Sequence, residues 1–345
     1  MAIDIFTTRE MLSVINEIFP ARTFLADTYF AATQIHDTEF VDIDIVKGRR
    51  KMAPFVSPMH EGHVMTREGY TTQTFKPAYV KPKMVSTAAD FLKRQPGENL
   101  FSNMNRAQRA AAMMASDLAL MDEYITRREE WMCAQLLNTG TVHVVGDGVD
   151  VTIDLNLDSS HVLTPGDLAG GVDWLDTDAT PLDDLDAIQL LISQDSGLTC
   201  NRFLLATDAW LAFIKHAQVR GEWLPAGGQA IGSNFVRGDN FEGAIFQGLA
   251  RNKAIWTYNE QYIDDDGSVK SMIQSKKVIA AAEGARSVRH YGAIMDLSAP
   301  GGASLRRFPK SWEEQDPSVR YVMVQSAPLP VFHQIDGLVI ATVLD

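Results

Sequence analysis

The spacing of apolar and polar positions divides the chain into segments of different period. Over residues 7–19, Met11, Leu12, Ile15, Ile18 and Phe19 recur at helical spacing behind Thr8, a residue suited to an N-cap, and Pro20 follows. That pattern predicts an amphipathic helix ending at the proline. Residues 40–46 alternate instead, with Val41, Ile43 and Ile45 set against Asp42 and Asp44, the period of a half-buried strand. Residues 50–92 differ from both. They carry Pro54, Pro58, Pro77 and Pro82, with Gly62 and Gly69 between, and short β-prone pieces at Phe55-Val56, Val64-Met65-Thr66 and Thr71-Thr72-Gln73-Thr74-Phe75. Proline beside strands marks edges and ribbons, so the segment reads as a long hairpin-like excursion. An isolated two-stranded ribbon is marginal in water and needs a neighbouring surface to lie on.

Residues 105–138 contain neither proline nor glycine, and Gly140 follows as a stop signal. Met114, Leu118, Met121, Ile125, Met132 and Leu136 fall on one face, while Arg127, Arg128, Glu129 and Glu130 are expected on a solvated side. A helix of this length runs to roughly 50 Å, far above the mean for globular domains, and suits a spine on which other elements pack.

Beyond it the pattern turns to strands at 142–145 and 149–157, joined by Gly146-Asp147-Gly148, then to a loop rich in Gly, Asp and Thr over 164–184. Helices are expected at 182–196 and 207–216, with a short buried strand at 203–206 between them. Residues 225–243 are glycine-rich and read as mobile. Strands follow at 254–258 and 278–282, with a hairpin over 262–269 turning at Asp266-Gly267, and further strands at 320–327 and 337–344. Helices and strands interleave without regular βαβ alternation, so the class is α+β.

Composition narrows the function. A length of 345 residues accommodates two or three packed units, and 46% hydrophobic with 22% charged residues is ordinary for a globular protein. The net charge of -13 disfavours nucleic-acid binding, and the basic cluster Lys47, Arg49, Arg50 and Lys51 is too short to reverse that. Two cysteines, Cys133 and Cys200, give neither a disulfide framework nor a zinc spacing, and Cys133 reads as a small buried hydrophobe. The start, Met1-Ala2-Ile3-Asp4, lacks the features of a secretory signal, and no apolar run is long enough for a membrane span.

Candidate chemistry is sparse. Asp264-Asp265-Asp266-Gly267 resembles part of a calcium loop, but Tyr262 and Met272 stand where ligands belong, so a turn is expected. His60 and His63 lie between Pro58 and Gly69, where a helical metal pair does not fit. Gly146 and Gly148 lack the third glycine of a dinucleotide loop. The eight histidines are scattered, without a catalytic partner at recognisable spacing, although a triad can assemble in space. Trp131, Trp210, Trp223, Trp256 and Trp312 fall in helix or strand patterns and read as core. The 14 methionines suit core filling, and also surfaces that re-pack against partners. No catalytic, cofactor or metal residue is expected.

Two segments carry a resemblance. The first is Met52-Ala53-Pro54-Phe55-Val56-Ser57-Pro58-Met59, continuing to Phe75-Lys76-Pro77-Ala78-Tyr79-Val80-Lys81-Pro82-Lys83. The second runs from Arg289-His290-Tyr291-Gly292-Ala293-Ile294-Met295-Asp296 through Phe308-Pro309-Lys310-Ser311-Trp312 and Asp316-Pro317 to Val324-Gln325-Ser326-Ala327-Pro328-Leu329. In order and spacing both are similar to the lambda-like major capsid proteins of tailed phages, while residues 140–285 match loosely. The resemblance implies the Hong Kong 97-type capsid fold. Residues 1–48 would form an N-terminal arm, 49–90 the extended E-loop, and 91–182 a peripheral domain with its spine helix at about 105–138. Residues 183–285 would form the axial domain, and 286–345 would return to the peripheral domain. Phe55, Val56, Ser57, Pro58, Phe75, Pro77, Tyr79, Lys81 and Lys83 would be subunit-interface residues.

The implied function is a head protein that self-assembles into pentamers and hexamers around packaged double-stranded DNA, in the virion, after assembly in the bacterial host cytoplasm. Its implied partners are copies of itself, a separate scaffolding protein, a decoration protein and the portal. DNA would be touched only non-specifically, and no membrane is involved. Some relatives cross-link a Lys of the E-loop to a neighbour's Asn. Lys76, Lys81 and Lys83 lie in that region, but no cross-link is expected in a lambda-like shell. Deleting residues 58–76 is expected to leave a foldable subunit that does not assemble. A tail or connector protein, or a cytosolic enzyme, is the alternative.

Overall fold

The computed structural model describes residues 7–17, 23–46, 52–65, 70–90, 105–223, 243–264, 266–297, 299–316 and 318–345. In chain order these form α1 (Thr8–Glu17), α2 (Phe24–Tyr29), β1 (Ala32–Ile35), β2 (Val41–Val46), β3 (Tyr70–Phe75), β4 (Lys83–Thr87), α3 (Arg106–Thr139), β5 (Thr141–Gly146) and β6 (Val149–Asp154). Next come β7 (Val162–Leu163), α4 (Pro181–Asp195), β8 (Arg202–Leu205), α5 (Thr207–Lys215), α6 (Ala217–Trp223), β9 (Ala244–Ala250), β10 (Lys253–Tyr258), β11 (Gln261–Ile263), β12 (Val269–Ser271) and β13 (Lys277–Ala281). The chain closes with β14 (Ser287–Tyr291), β15 (Ile294–Asp296), β16 (Ala299–Ala303), β17 (Phe308–Glu314), β18 (Val319–Gln325), β19 (Pro328–Phe332) and β20 (Leu338–Thr342).

Helix α3 explains how the parts are held at a fixed separation. Asn105 accepts from the Gln108 N–H while the Gln108 side chain returns to the Asn105 N–H, a reciprocal cap that fixes the start. Gly140, at φ 73°, ends the helix with its N–H on the Leu136 carbonyl at 2.8 Å. The apolar stripe between these caps serves two cores. Met114, Leu118, Met121 and Ile125 pack with Met11 and Ile15 of α1 and Val322 and Val324 of β18. Met132 and Leu136, one or more turns further on, belong to the main core with Cys133 and Leu137.

That main core is built on a mixed six-stranded sheet in the order β7-β20-β13-β8-β10-β9. Its central strands are sequences without alternation: Phe203–Leu205, Val278–Ala281 and Leu338–Ala341 are all buried, as strands covered on both faces must be. A second sheet, β1-β14-β19, and a third, β17-β18-β4, gather beside α3. The third borrows β4 from the far side of the proline-rich segment and pairs it antiparallel with β18. The turns expected at 146–148 and at Asp266-Gly267 join β5 to β6 and β11 to β12, with Gly148 at φ 74° and Gly267 at φ 80°.

The structure corrects several expectations. Glu129 and Glu130 do not face solvent; each is 2% exposed, because each has buried partners from distant segments. The loop expected at 164–184 hides Trp174 in the main core, where its indole N–H donates to Asp184 at 2.7 Å. Trp131, Trp210 and Trp256 lie only partly buried at the margin of that core, and Trp312 stacks on Tyr321 at the surface sheet. The division expected at 285/286 does not follow the sheets. β20 pairs with β13 and β7, so the end of the chain completes the six-stranded sheet because its apolar residues have both faces to cover there. The glycine-rich stretch 225–242, the basic cluster at 47–51 and the Trp223 side chain lie outside what is described.

Candidate functional site

The most exposed apolar segment begins at a strand pair whose two faces differ in character. β2 and β3 pair antiparallel from Val41 with Phe75 to Val46 with Tyr70. Val41, Ile43 and Ile45 enter the main core. On the opposite face Asp42 accepts from the Thr74 hydroxyl at 2.5 Å and Asp44 from the Thr72 hydroxyl at 2.6 Å. The root of the ribbon is therefore fastened by apolar burial on one side and cross-strand hydrogen bonds on the other.

Its far end has no such fastening. Every described residue from 52 to 65 is exposed, including Met52, Phe55, Val56, Met59, Val64 and Met65. Phe55 is as open as in an isolated peptide, at 107%. A turn with the His60 N–H on the Ser57 carbonyl at 2.9 Å gives local order near Pro58, but no apolar residue of this segment belongs to a core cluster. Exposed apolar side chains of this kind make the segment a candidate interaction surface.

The site residues read from the sequence thus separate into two groups. Phe55, Val56, Ser57 and Pro58 stand at the exposed end. The others are anchored to their own subunit. Phe75 packs against the main core, and Pro77 is buried so close to Gly292 that a Cβ there would lie 3.1 Å from the proline ring. The Tyr79 hydroxyl donates to the Ala293 carbonyl and accepts from the Met295 N–H, both at 3.2 Å. Lys81 lies over the Tyr79 ring at 4.4 Å and Lys83 over Tyr321 at 4.7 Å. A deletion of 58–76 would also remove β3, the pairing partner of β2.

What holds the segment before β17 to the spine is ionic and buried. The Arg307 guanidinium, just before β17, donates from Nε to Asp122 at 2.6 Å and from one terminal nitrogen to Glu129 at 2.5 Å; the other reaches the Thr126 hydroxyl at 3.2 Å. Arg306 completes Glu129 at 3.1 Å. Burial alone would raise the Glu129 carboxyl, but the two guanidiniums outweigh it and hold it below its ordinary value. Glu130 works differently. It accepts the N–H groups of Leu25 and Ala26 and the Tyr258 hydroxyl, all at 2.8 Å, and so supplies the cap that Thr23 does not give α2. It has no guanidinium beside it. Burial raises its carboxyl, and the three donors only partly offset this. Asp122, Thr126 and Glu129, spaced four and three apart, form a polar stripe that the sequence reading missed.

Among the described residues no group of three or more His, Cys, Asp or Glu side chains is arranged to hold a metal, and no helix is long and apolar enough to cross a membrane. His60 and His63 are exposed, and Cys133 and Cys200 are buried free thiols.

Comparison with known proteins gives a consistent picture. A family model described as phage major capsid protein E matches residues 7–343. The major capsid protein of Enterobacteria phage P21 is 27% identical over 98% of this chain and 99% of its own length. That of Escherichia phage lambda is 25% identical over 97% and 98%. The solved structure of a candidate capsid protein from an Escherichia coli CFT073 prophage superposes with a TM-score of 0.73 at 21% identity, covering 97% of this chain and 98% of that one.

Proposed function

The chain belongs to the phage major capsid protein E family, and on that premise we propose that it closes its shell by laying the ribbon tip of each copy on a neighbouring copy. It is a structural protein of the phage head, and its fold is the Hong Kong 97-type capsid fold. The observation that carries the assembly reading is the unburied apolar run from Met52 to Met65 at the end of a root that is itself well fastened. Burying a side chain of the size of Phe55 contributes roughly 1.5–3 kcal/mol, and a closed shell repeats that gain at every copy.

In this reading residues 1–48 are the arm, 49–90 the E-loop and α3 the spine; 183–285, together with β7 and β20, form the axial domain. Copies associate as hexamers and pentamers around double-stranded DNA, which an acidic surface touches without specificity. Assembly takes place in the bacterial host cytoplasm with a separate scaffolding protein and a portal, and a decoration protein reinforces the finished shell. No catalytic step is assigned.

Replacing Phe55 by Asp tests the reading, since a fully exposed side chain changes subunit stability by no more than about 0.5 kcal/mol. Electron microscopy is expected to show shells or hexameric sheets for the parent and unassembled subunits for F55D, with unchanged circular dichroism. Normal particles from F55D would remove the ribbon tip from the interface. Tubes or single rings from the parent would instead favour a tail or connector role.

A further inference from the structure

Three histidines far apart in sequence meet where the Asp44 carbonyl of β2 approaches the end of β19. His36 Nε2 lies 2.8 Å from His290 Nδ1, His290 Nε2 lies 3.1 Å from His333 Nε2, and His333 Nδ1 lies 3.1 Å from the Asp44 carbonyl of β2. His290, in β14, is 2% exposed; His36 and His333 are half-buried on either side. We propose that this chain is a latch, released by acid, that fastens β2 and hence the ribbon root to the sheet.

The carbonyl fixes the proton order. It only accepts, so His333 Nδ1 carries hydrogen and, in the neutral ring, His333 Nε2 does not. His290 must then donate from Nε2 and accept at Nδ1, and His36 must donate from Nε2. Every bond is made with three neutral rings, and one lone pair is left over, on His36 Nδ1. A first proton enters there without breaking anything. A second must enter at His290 Nδ1 or His333 Nε2, where an N–H already points, so it breaks a link and places like charges side by side. The latch therefore tolerates one proton and opens on taking up more.

The surroundings offer His290 no compensating anion. From beyond β1 it faces His36, from beyond β19 it faces His333, and β2 presents a backbone carbonyl while its Asp44 carboxylate is turned to Thr72. Arg289, its neighbour in β14, pairs with Asp27 at 3.6 Å. Burial, then the charges of the two flanking rings, lower His290 from 6.5 to about 4. The opened state binds protons more readily than the latched one across that interval. Falling pH therefore favours opening, and rising pH restores the latch.

The contacts lie within one subunit, so this inference stands or falls separately from the assembly reading. Hydrogen exchange of the full-length protein, followed in peptides covering β2 and β3 and corrected for intrinsic rates, is the test. Protection is expected to fall at least tenfold between pH 7 and pH 4.5, steepening toward two protons' dependence at the acid end. His333→Gln, whose amide can still donate to the Asp44 carbonyl and accept from His290, removes one of the protons taken up only on opening and should reduce that slope by about one proton, which is about tenfold per pH unit. The triple variant H36Q/H290Q/H333Q should show no slope, and His143→Gln, an exposed histidine outside the chain, should behave as the parent. A parent whose β2 protection does not change with pH, or an undiminished slope in His333→Gln, would overturn the proposal. The half-buried position of His333 makes that single variant readable even where the triple variant does not fold.

Discussion

Arg307 and Glu129 form a charge pair at 2.5 Å with side chains only 5% and 3% exposed, joining the segment before β17 to the middle of α3. Replacing Arg307 by Met leaves Glu129 with Arg306 alone and Asp122 without its guanidinium. Breaking a buried pair in this way typically costs about 3–5 kcal/mol. The exposed Arg127–Glu123 pair on the same helix, at 2.9 Å, is the contrast. Arg127→Ala should cost no more than about 0.5 kcal/mol. Urea unfolding of the unassembled subunits is expected to separate the two variants by at least 2 kcal/mol, on the order set by those two ranges.

Glu129 and Glu130 are adjacent, yet they should respond to pH in opposite directions. Glu129 is held below 4.5 in the folded state by Arg307 and Arg306 against the opposing effect of burial. Its contribution is present above 4.5 and is lost as pH falls through the folded value. Glu130 is raised above 4.5 by burial. The folded state holds its proton more tightly than the unfolded one, so this contribution is present at low pH and lost as pH rises through the folded value. The stability advantage of the parent over Glu130→Gln should therefore grow as pH falls from 8 to 5. Its advantage over Glu129→Gln should shrink only below 4.5. Urea midpoints of the two variants and the parent at pH 8, 5 and 4 give both slopes, and parallel slopes would contradict the assignment.

These same residues show where the sequence was readable. Helix α3, its glycine stop, the two short hairpins and the ribbon were legible because their signals are local: a periodic stripe, an Asp-Gly turn, prolines beside β-branched residues. Glu129 and Glu130 were not, because a charged residue is read as solvated until its partner is known, and Arg307 is 178 residues away from Glu129. A signal did exist. Asp122, Thr126 and Glu129 repeat at helical spacing, and two consecutive arginines, Arg306 and Arg307, precede a strand that must pack somewhere. The histidine chain had none, since positions 36, 290 and 333 meet only through the register of β1, β14 and β19. Trp174 was hidden by the glycine and aspartate around it, and β20 by its distance in sequence from the sheet it completes.

The end of α3 offers a prediction independent of charge. Gly140 takes φ 73°, where an L side chain is strained, and a Cβ built on it would lie 2.9 Å from the Leu157 Cβ. Alanine there meets both a conformational penalty of about 1–2 kcal/mol and a collision with the half-buried Leu157 side chain, which packs against the main core. Gly146 at the end of β5 is a control from the same region, since nothing lies within 4 Å of its Cβ direction and its φ is not positive. Gly140→Ala is expected to destabilise the subunit by at least 2 kcal/mol, an order-of-magnitude sum of strain and overpacking, and Gly146→Ala by less than about 0.5 kcal/mol. Because α3 positions both cores, the loss should appear as one cooperative shift in the urea midpoint rather than as local fraying. Equal effects from the two substitutions would mean that the left-handed cap does not set the length of the spine.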